Sequence, residues 1–101
     1  MTCLITTLLA GQIFVGNMLN PFLLNSIAFI ESRHKTTAIS NTGAFGILQI
    51  TDGACQDADI ECTDKNKLNI DLQIEVASRY IKRYMQTGRN ICEVLYIYNN
   101  G

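Results

Sequence analysis

An apolar stripe that opens at Asn20-Pro21 and closes on Glu31 constrains the fold of this chain more than any other feature. Asn20 reads as a helix N-cap and Pro21 as the first helical residue, where a missing N–H costs nothing because that donor has no intrahelical partner. Leu23, Leu24, Ile27, Ala28, Ile30 and Glu31 follow at spacings of three and four, which predicts a helix with Glu31 on the same face as Leu24, Ile27 and Ala28. Glu31 is also the first charged side chain in the sequence. A carboxyl held against hydrocarbon keeps its proton to higher pH, because desolvation disfavours the anion, and only the protonated form can donate to a leaving oxygen at neutral pH. The helix therefore presents a candidate acid on its buried side.

The glycines of Gly43-Ala44-Phe45-Gly46-Ile47-Leu48-Gln49-Ile50 predict turns, or a short β-like excursion, before Thr51 or Asp52 starts another short helix. A long helix is predicted from Ile70 to Met85, with Ile74, Ala77, Ile81 and Met85 on one stripe and Thr87-Gly88 as its stop. Asn90 caps a last helix with Glu93 at its third position, and Ile91, Val94, Leu95 and Tyr98 form its apolar stripe. The expected fold class is mainly α, with some β-like structure after the first helix. At 101 residues and 48% hydrophobic, the chain is one domain with a core of marginal size. The net charge of −1 and scattered Lys and Arg leave no basic stripe for nucleic acid.

Several motifs stand in order. Asn20-Pro-Phe-Leu-Leu-Asn-Ser-Ile-Ala-Phe-Ile-Glu31-Ser32 is followed by Ser40-Asn41-Thr42-Gly43-Ala44-Phe45-Gly46-Ile47-Leu48-Gln49, then by Gln73-Ile74 to Tyr80-Ile81, then by Tyr98-Asn99-Asn100-Gly101. This set resembles the transglycosylase SLT domain, the lytic transglycosylase family that shares its fold with goose-type lysozymes. The resemblance runs from Asn20 to the end and implies a lysozyme-like helical domain. There are departures: Ile47-Leu48 stands for Leu-Met, Gln73 and Ala77 for Asn and Gly, and Ile97 for the Ala before Tyr98. The resemblance also implies a further helix beyond Gly101, so the domain, read as residues 20–101, is expected to be incomplete at its C-terminus.

What the resemblance implies for chemistry falls on particular residues. Glu31 would protonate the β-1,4 oxygen between N-acetylmuramic acid and N-acetylglucosamine, then take the proton of the C6 hydroxyl as a 1,6-anhydro ring closes. Ser32, Gly46, Gln49, Tyr98 and Asn99 would bind substrate, with Gly43 and Gly46 letting the loop backbone approach the sugar. The partner is the glycan strand of peptidoglycan, and neither cofactor nor metal is called for. Two rival readings remain: a lysozyme-type hydrolase in which Asp52, Asp57 or Asp59 orients water as a second carboxylate, and a non-catalytic glycan-binding remnant.

Residues 1–19 are a separate apolar zone without Lys or Arg. They are read as a weak export signal or short membrane anchor, with a buried N-terminal helix as the alternative. A cell-wall substrate favours export, hence a periplasmic or extracellular location. Four cysteines bear on the same question. In an oxidising compartment Cys55 and Cys62 would pair across a short acidic loop, leaving Cys92 free if Cys3 is removed with the first segment; in a reducing one all four would be small apolar residues. The Cys55–Cys62 spacing and the distance in sequence of His34 argue against a zinc site.

Overall fold

A computed structural model describes the backbone of residues 10–100 and the side chains of residues 12–98. In chain order it places α1 (Ala10–Ile13), a two-stranded hairpin of β1 (Phe14–Val15) and β2 (Met18–Leu19), α2 (Pro21–Ser32), α3 (Asp52–Asp57), α4 (Ile70–Met85) and α5 (Ile91–Asn100). The fold is mainly α. The β-like excursion after α2 is present as two isolated antiparallel bridges, Ile39 with Phe45 and Phe45 with Ile50.

α2 begins and ends for identifiable reasons. Asn20 Oδ1 accepts from the Phe22 N–H at 2.8 Å, and Pro21 occupies the first position. At the other end Arg33 and His34 both take left-handed backbone, φ 55° and 63°, and their N–H groups close on the carbonyls of Phe29 and Ala28. That conformation costs a non-glycine residue about 1 kcal/mol. Side-chain contacts offset it: the Arg33 guanidinium lies 4.7 Å from the Phe29 ring centre, and His34 Nε2 is 2.8 Å from Asn25 Oδ1. The helix thus stops directly after Glu31-Ser32. Its inward arc runs from Leu23 through Ile27, Glu31 and Leu24 to Ala28, so Glu31 is near the middle of that arc. Ile30, expected on the stripe, falls at the arc's edge and is 52% exposed, while Phe22 and Phe29 face outward.

α4 is the hub, packing against β2, α3 and α5, and its Val76, Ala77 and Ile81 are fully buried. The stripe expected there contained Ala77 and Ile81, but Ile74 and Met85 are only partly buried, and the deepest positions also include Gln73 and Ser78. Ser78 belongs inside because its hydroxyl accepts the Leu19 N–H at 3.0 Å, tying the hairpin to the hub. Ile13 and Leu19 join the same core, so residues from the zone read as a signal or anchor contribute to this domain; residues 1–9 lie outside those described. Among the described residues no helix is long and apolar enough to cross a membrane.

α3 is held in two ways, to the loop that follows it and to the hub. Cys55 and Cys62 form a disulfide, and Arg79 and Arg83 of α4 each donate at 3.0 Å to the carbonyls of Ala58 and Asp57 inside that loop. Cys92 is also disulfide-bonded, and among the described residues no cysteine is free.

Candidate active site

Glu31 ends α2 half-buried, and burial raises its carboxyl from the usual 4.5 to about 7. The cause is desolvation, which penalises the anion, so at neutral pH a large fraction of the group is protonated. This placement follows from the helix itself: the buried arc needs Leu23, Ile27 and Ala28 inside, and the next residue on that arc is the glutamate.

The loop of residues 38–50 lies beside it. The Phe45 and Ile50 backbones exchange N–H donors at 2.9 and 3.1 Å, the Gly46 N–H donates to Ala38 at 2.8 Å, and the Ser40 hydroxyl accepts from the Ala44 N–H at 3.0 Å. Gly43 and Gly46 have φ of 88° and 81°. For Gly43 the backbone angle alone explains the glycine, since an added Cβ would meet nothing within 4 Å. At Gly46 a Cβ would fall 2.0 Å from Gln73 Nε2, so the close approach there is to the protein's own buried amide.

Four polar side chains converge on this loop. Ser32 Oγ is 2.7 Å from the Ile47 carbonyl and 3.1 Å from the Ala28 carbonyl, so its one hydrogen is committed to backbone and it clamps α2 to the loop. Gln49, at φ 51°, donates through Nε2 to Ala38 at 3.1 Å and Gly46 at 3.0 Å, bonds that leave its Oε1 unused. The Tyr98 hydroxyl donates to the Leu48 carbonyl at 2.5 Å. Burial first, then the charges of Glu31 and Tyr80, push the Tyr98 phenol well above its usual range, so it stays protonated, and with that hydrogen given to Leu48 it offers other groups only lone pairs. Behind it, edge to face at 5.8 Å, stands the ring of Tyr80.

The fourth side chain is one that sequence reasoning treated only as a departure from a motif. Gln73, fully buried on α4, donates to the carbonyls of Phe45 at 2.9 Å and Lys67 at 2.7 Å and accepts from the Leu48 N–H at 2.9 Å. A polar residue at the centre of an apolar helical face was its only signal.

Glu31, Ser32 and Tyr98 are brought together with Gly46 and the loop that Gln49 closes, whereas the side chain of Asn99 lies outside those described. Asp52, Asp57 and Asp59 are all exposed. Among the described residues no cluster of His, Cys, Asp or Glu is placed to hold a metal ion. A concavity of about 410 Å³ lined by Asn90, Cys92, Glu93, Tyr96 and Ile97 lies on α5 and includes neither Glu31 nor the loop. The family model for the transglycosylase SLT domain matches residues 11–101, in agreement with the resemblance read from the motifs. No curated protein and no solved structure matches the chain.

Proposed function

Because this chain belongs to the transglycosylase SLT domain family, whose members act on cell-wall peptidoglycan, we propose that it is a lytic transglycosylase cleaving the β-1,4 bond between N-acetylmuramic acid and N-acetylglucosamine. The observation that carries this reading is the half-buried Glu31, protonated near pH 7 because of its burial. Glu31 gives its proton to the glycosidic oxygen as the C1–O bond breaks, and the muramoyl N-acetyl oxygen shields the developing charge at C1. The C6 hydroxyl then attacks C1, its proton returns to the Glu31 carboxylate, and a 1,6-anhydro end results with no water consumed.

Around that acid, Gln49 Oε1 and the lone pairs of Tyr98 accept N–H or O–H groups of the sugar and Asn99 adds a further contact, while Ser32 and Gly46, whose polar groups and close approach are taken up by the protein itself, serve the substrate by shaping the loop. The exposed positions of Asp52, Asp57 and Asp59 favour the lyase over a hydrolase, which needs a second carboxylate set to activate water. A peptidoglycan substrate is met in the cell envelope, which supports a periplasmic or extracellular location, and the export or membrane role read for residues 1–19 does not extend to Ile13 and Leu19, which belong to the core of the domain. Glu31→Gln is expected to lower the clearing of purified cell walls by roughly a hundredfold or more without unfolding the chain. Wild-type activity in that variant removes Glu31 from the role. Mass analysis of the digest separates the remaining readings: anhydro ends are one water lighter than the reducing ends a hydrolase leaves, and a folded wild-type chain that binds walls without cutting them is the non-catalytic remnant.

A further inference from the structure

Gln73 makes three hydrogen bonds from a side chain with no exposure, and two of them land on the loop beside Glu31. They fall at the Phe45 carbonyl and the Leu48 N–H, and between these points the loop offers the carbonyls of Ile47 and Leu48 to Ser32 and Tyr98. Ser32 is the chain neighbour of Glu31, and Tyr98 is the group whose proton the Glu31 charge helps retain. The third bond, to the Lys67 carbonyl, ties the same amide to the segment that precedes α4. Both amide hydrogens are used, and the Gly46 backbone leaves no room for even a Cβ on the near side. A fully satisfied buried amide of this kind has one low-energy placement, and whatever it holds is held rigidly.

We propose that Gln73 is a positioning residue for the Glu31 site, holding residues 45–48 in the place where Ser32 and Tyr98 close over the acid. It touches neither the acid nor a sugar; it acts through the loop. The proposal rests on the reading of Glu31 as the acid. Without Gln73 the Leu48 N–H and the Lys67 carbonyl lose their partner and the Phe45 carbonyl keeps only the Ile50 N–H, so the loop reopens to find water, and that water reaches the Glu31 carboxyl. The groups that could otherwise move the titration of Glu31 are left in place: Tyr98 of α5 with Tyr80 of α4 behind it, and the exposed Arg33 and His34 after α2, while residues 43–50 carry no ionisable side chain.

The test is to follow the Glu31 carboxyl by carbon-13 NMR through a pH titration of the full chain, as wild type, Gln73→Met and Gln73→Asn. Wild type should titrate at about 7. Gln73→Met keeps the length and loses the hydrogen bonds, and its midpoint should fall by about one unit or more toward ordinary carboxylates, with kcat on cell walls falling about tenfold and KM little changed. Gln73→Asn, which keeps the amide, should lie between the two. A residue with a merely structural part would lower the folded fraction and leave the midpoint where it is. A folded Gln73→Met with the wild-type midpoint overturns the proposal. Should Gln73→Met not fold, the same midpoint in a Gln73→Asn chain whose Leu48 N–H has lost its protection from exchange overturns it equally. The titration needs no turnover, so it fails or succeeds independently of the Glu31→Gln assay.

Discussion

α4 and the loop of residues 38–50 lie against each other and are held by different physics. The helix is fixed chiefly by Val76, Ala77 and Ile81, which are buried without exposure, so most of its stabilisation is spread over area, with Ser78, Arg79 and Arg83 adding directional bonds. The loop contains Phe45, Leu48 and Ile50 in the core, yet its path is set by a few directional bonds from Ser32, Gln49, Gln73 and Tyr98 to backbone groups. Area gives tolerance, while hydrogen bonds give position. A candidate acid site needs the second kind of support on top of the first, because a carboxyl displaced by an ångström no longer meets its leaving oxygen.

The largest expected effect breaks the helix side of this comparison. Ile81→Ala removes a fully buried side chain at the hub and should cost about 2–5 kcal/mol of unfolding free energy, measured by urea denaturation. The activity of the remaining folded fraction should be close to that of wild type. Gly46→Ala strikes the loop instead, forcing a Cβ to within 2.0 Å of Gln73 Nε2 at a φ of 81°. Overpacking and the left-handed strain together should cost about 2–4 kcal/mol. Here the folded fraction itself should lose activity, and a variant with full specific activity would show that the loop's path does not matter.

The two regions also differ in how far the sequence disclosed them. The bounds of α4 were readable from its apolar spacing, and the reciprocal Asn90–Glu93 cap of α5 was readable from residue types alone, because both signals are local. The acid at the end of α2 was legible for the same reason, and its half-buried setting matches the arc predicted for it. Gln73 and Ser78 were not placed in the core, since a polar residue is buried only where distant backbone supplies its partners, here residues 45, 48 and 67 for one and residue 19 for the other. The hairpin around Gly16-Asn17 was missed for a different reason. Gly16, at φ 62°, opens a two-residue turn of the kind that favours glycine first, but the apolar composition of residues 1–19 drew the reading toward export and away from that turn.

Opening the Cys55–Cys62 disulfide, by Cys55→Ser with Cys62→Ser, probes a part of the molecule held in both ways at once. A loop this short constrains the unfolded chain by about 2–3 kcal/mol in the entropy treatment, which is the expected loss. The bonds from Arg79 and Arg83 to the enclosed carbonyls remain, so α3 should stay docked and the circular dichroism of the folded state should not change. Loss of α3 protection in hydrogen exchange would mean the disulfide, and not the arginines, holds it.

The smallest effect is the pH dependence that Glu31 adds to stability, and it measures how firmly the loop shields the acid. The carboxyl titrates near 4.5 when exposed and near 7 in the folded chain, so between those values the native state binds more protons than the unfolded state. Its contribution is therefore present in full below about pH 4.5, is lost as pH rises toward 7, and is flat above that. The group is half-buried and partly screened, which reduces the expected change to on the order of 1–2 kcal/mol. Measuring wild type against Glu31→Gln from pH 4 to pH 8 cancels the other ionisable groups. Wild type should lose stability relative to the variant as pH rises, and parallel curves would show that the carboxyl is solvated and that the loop does not shield it.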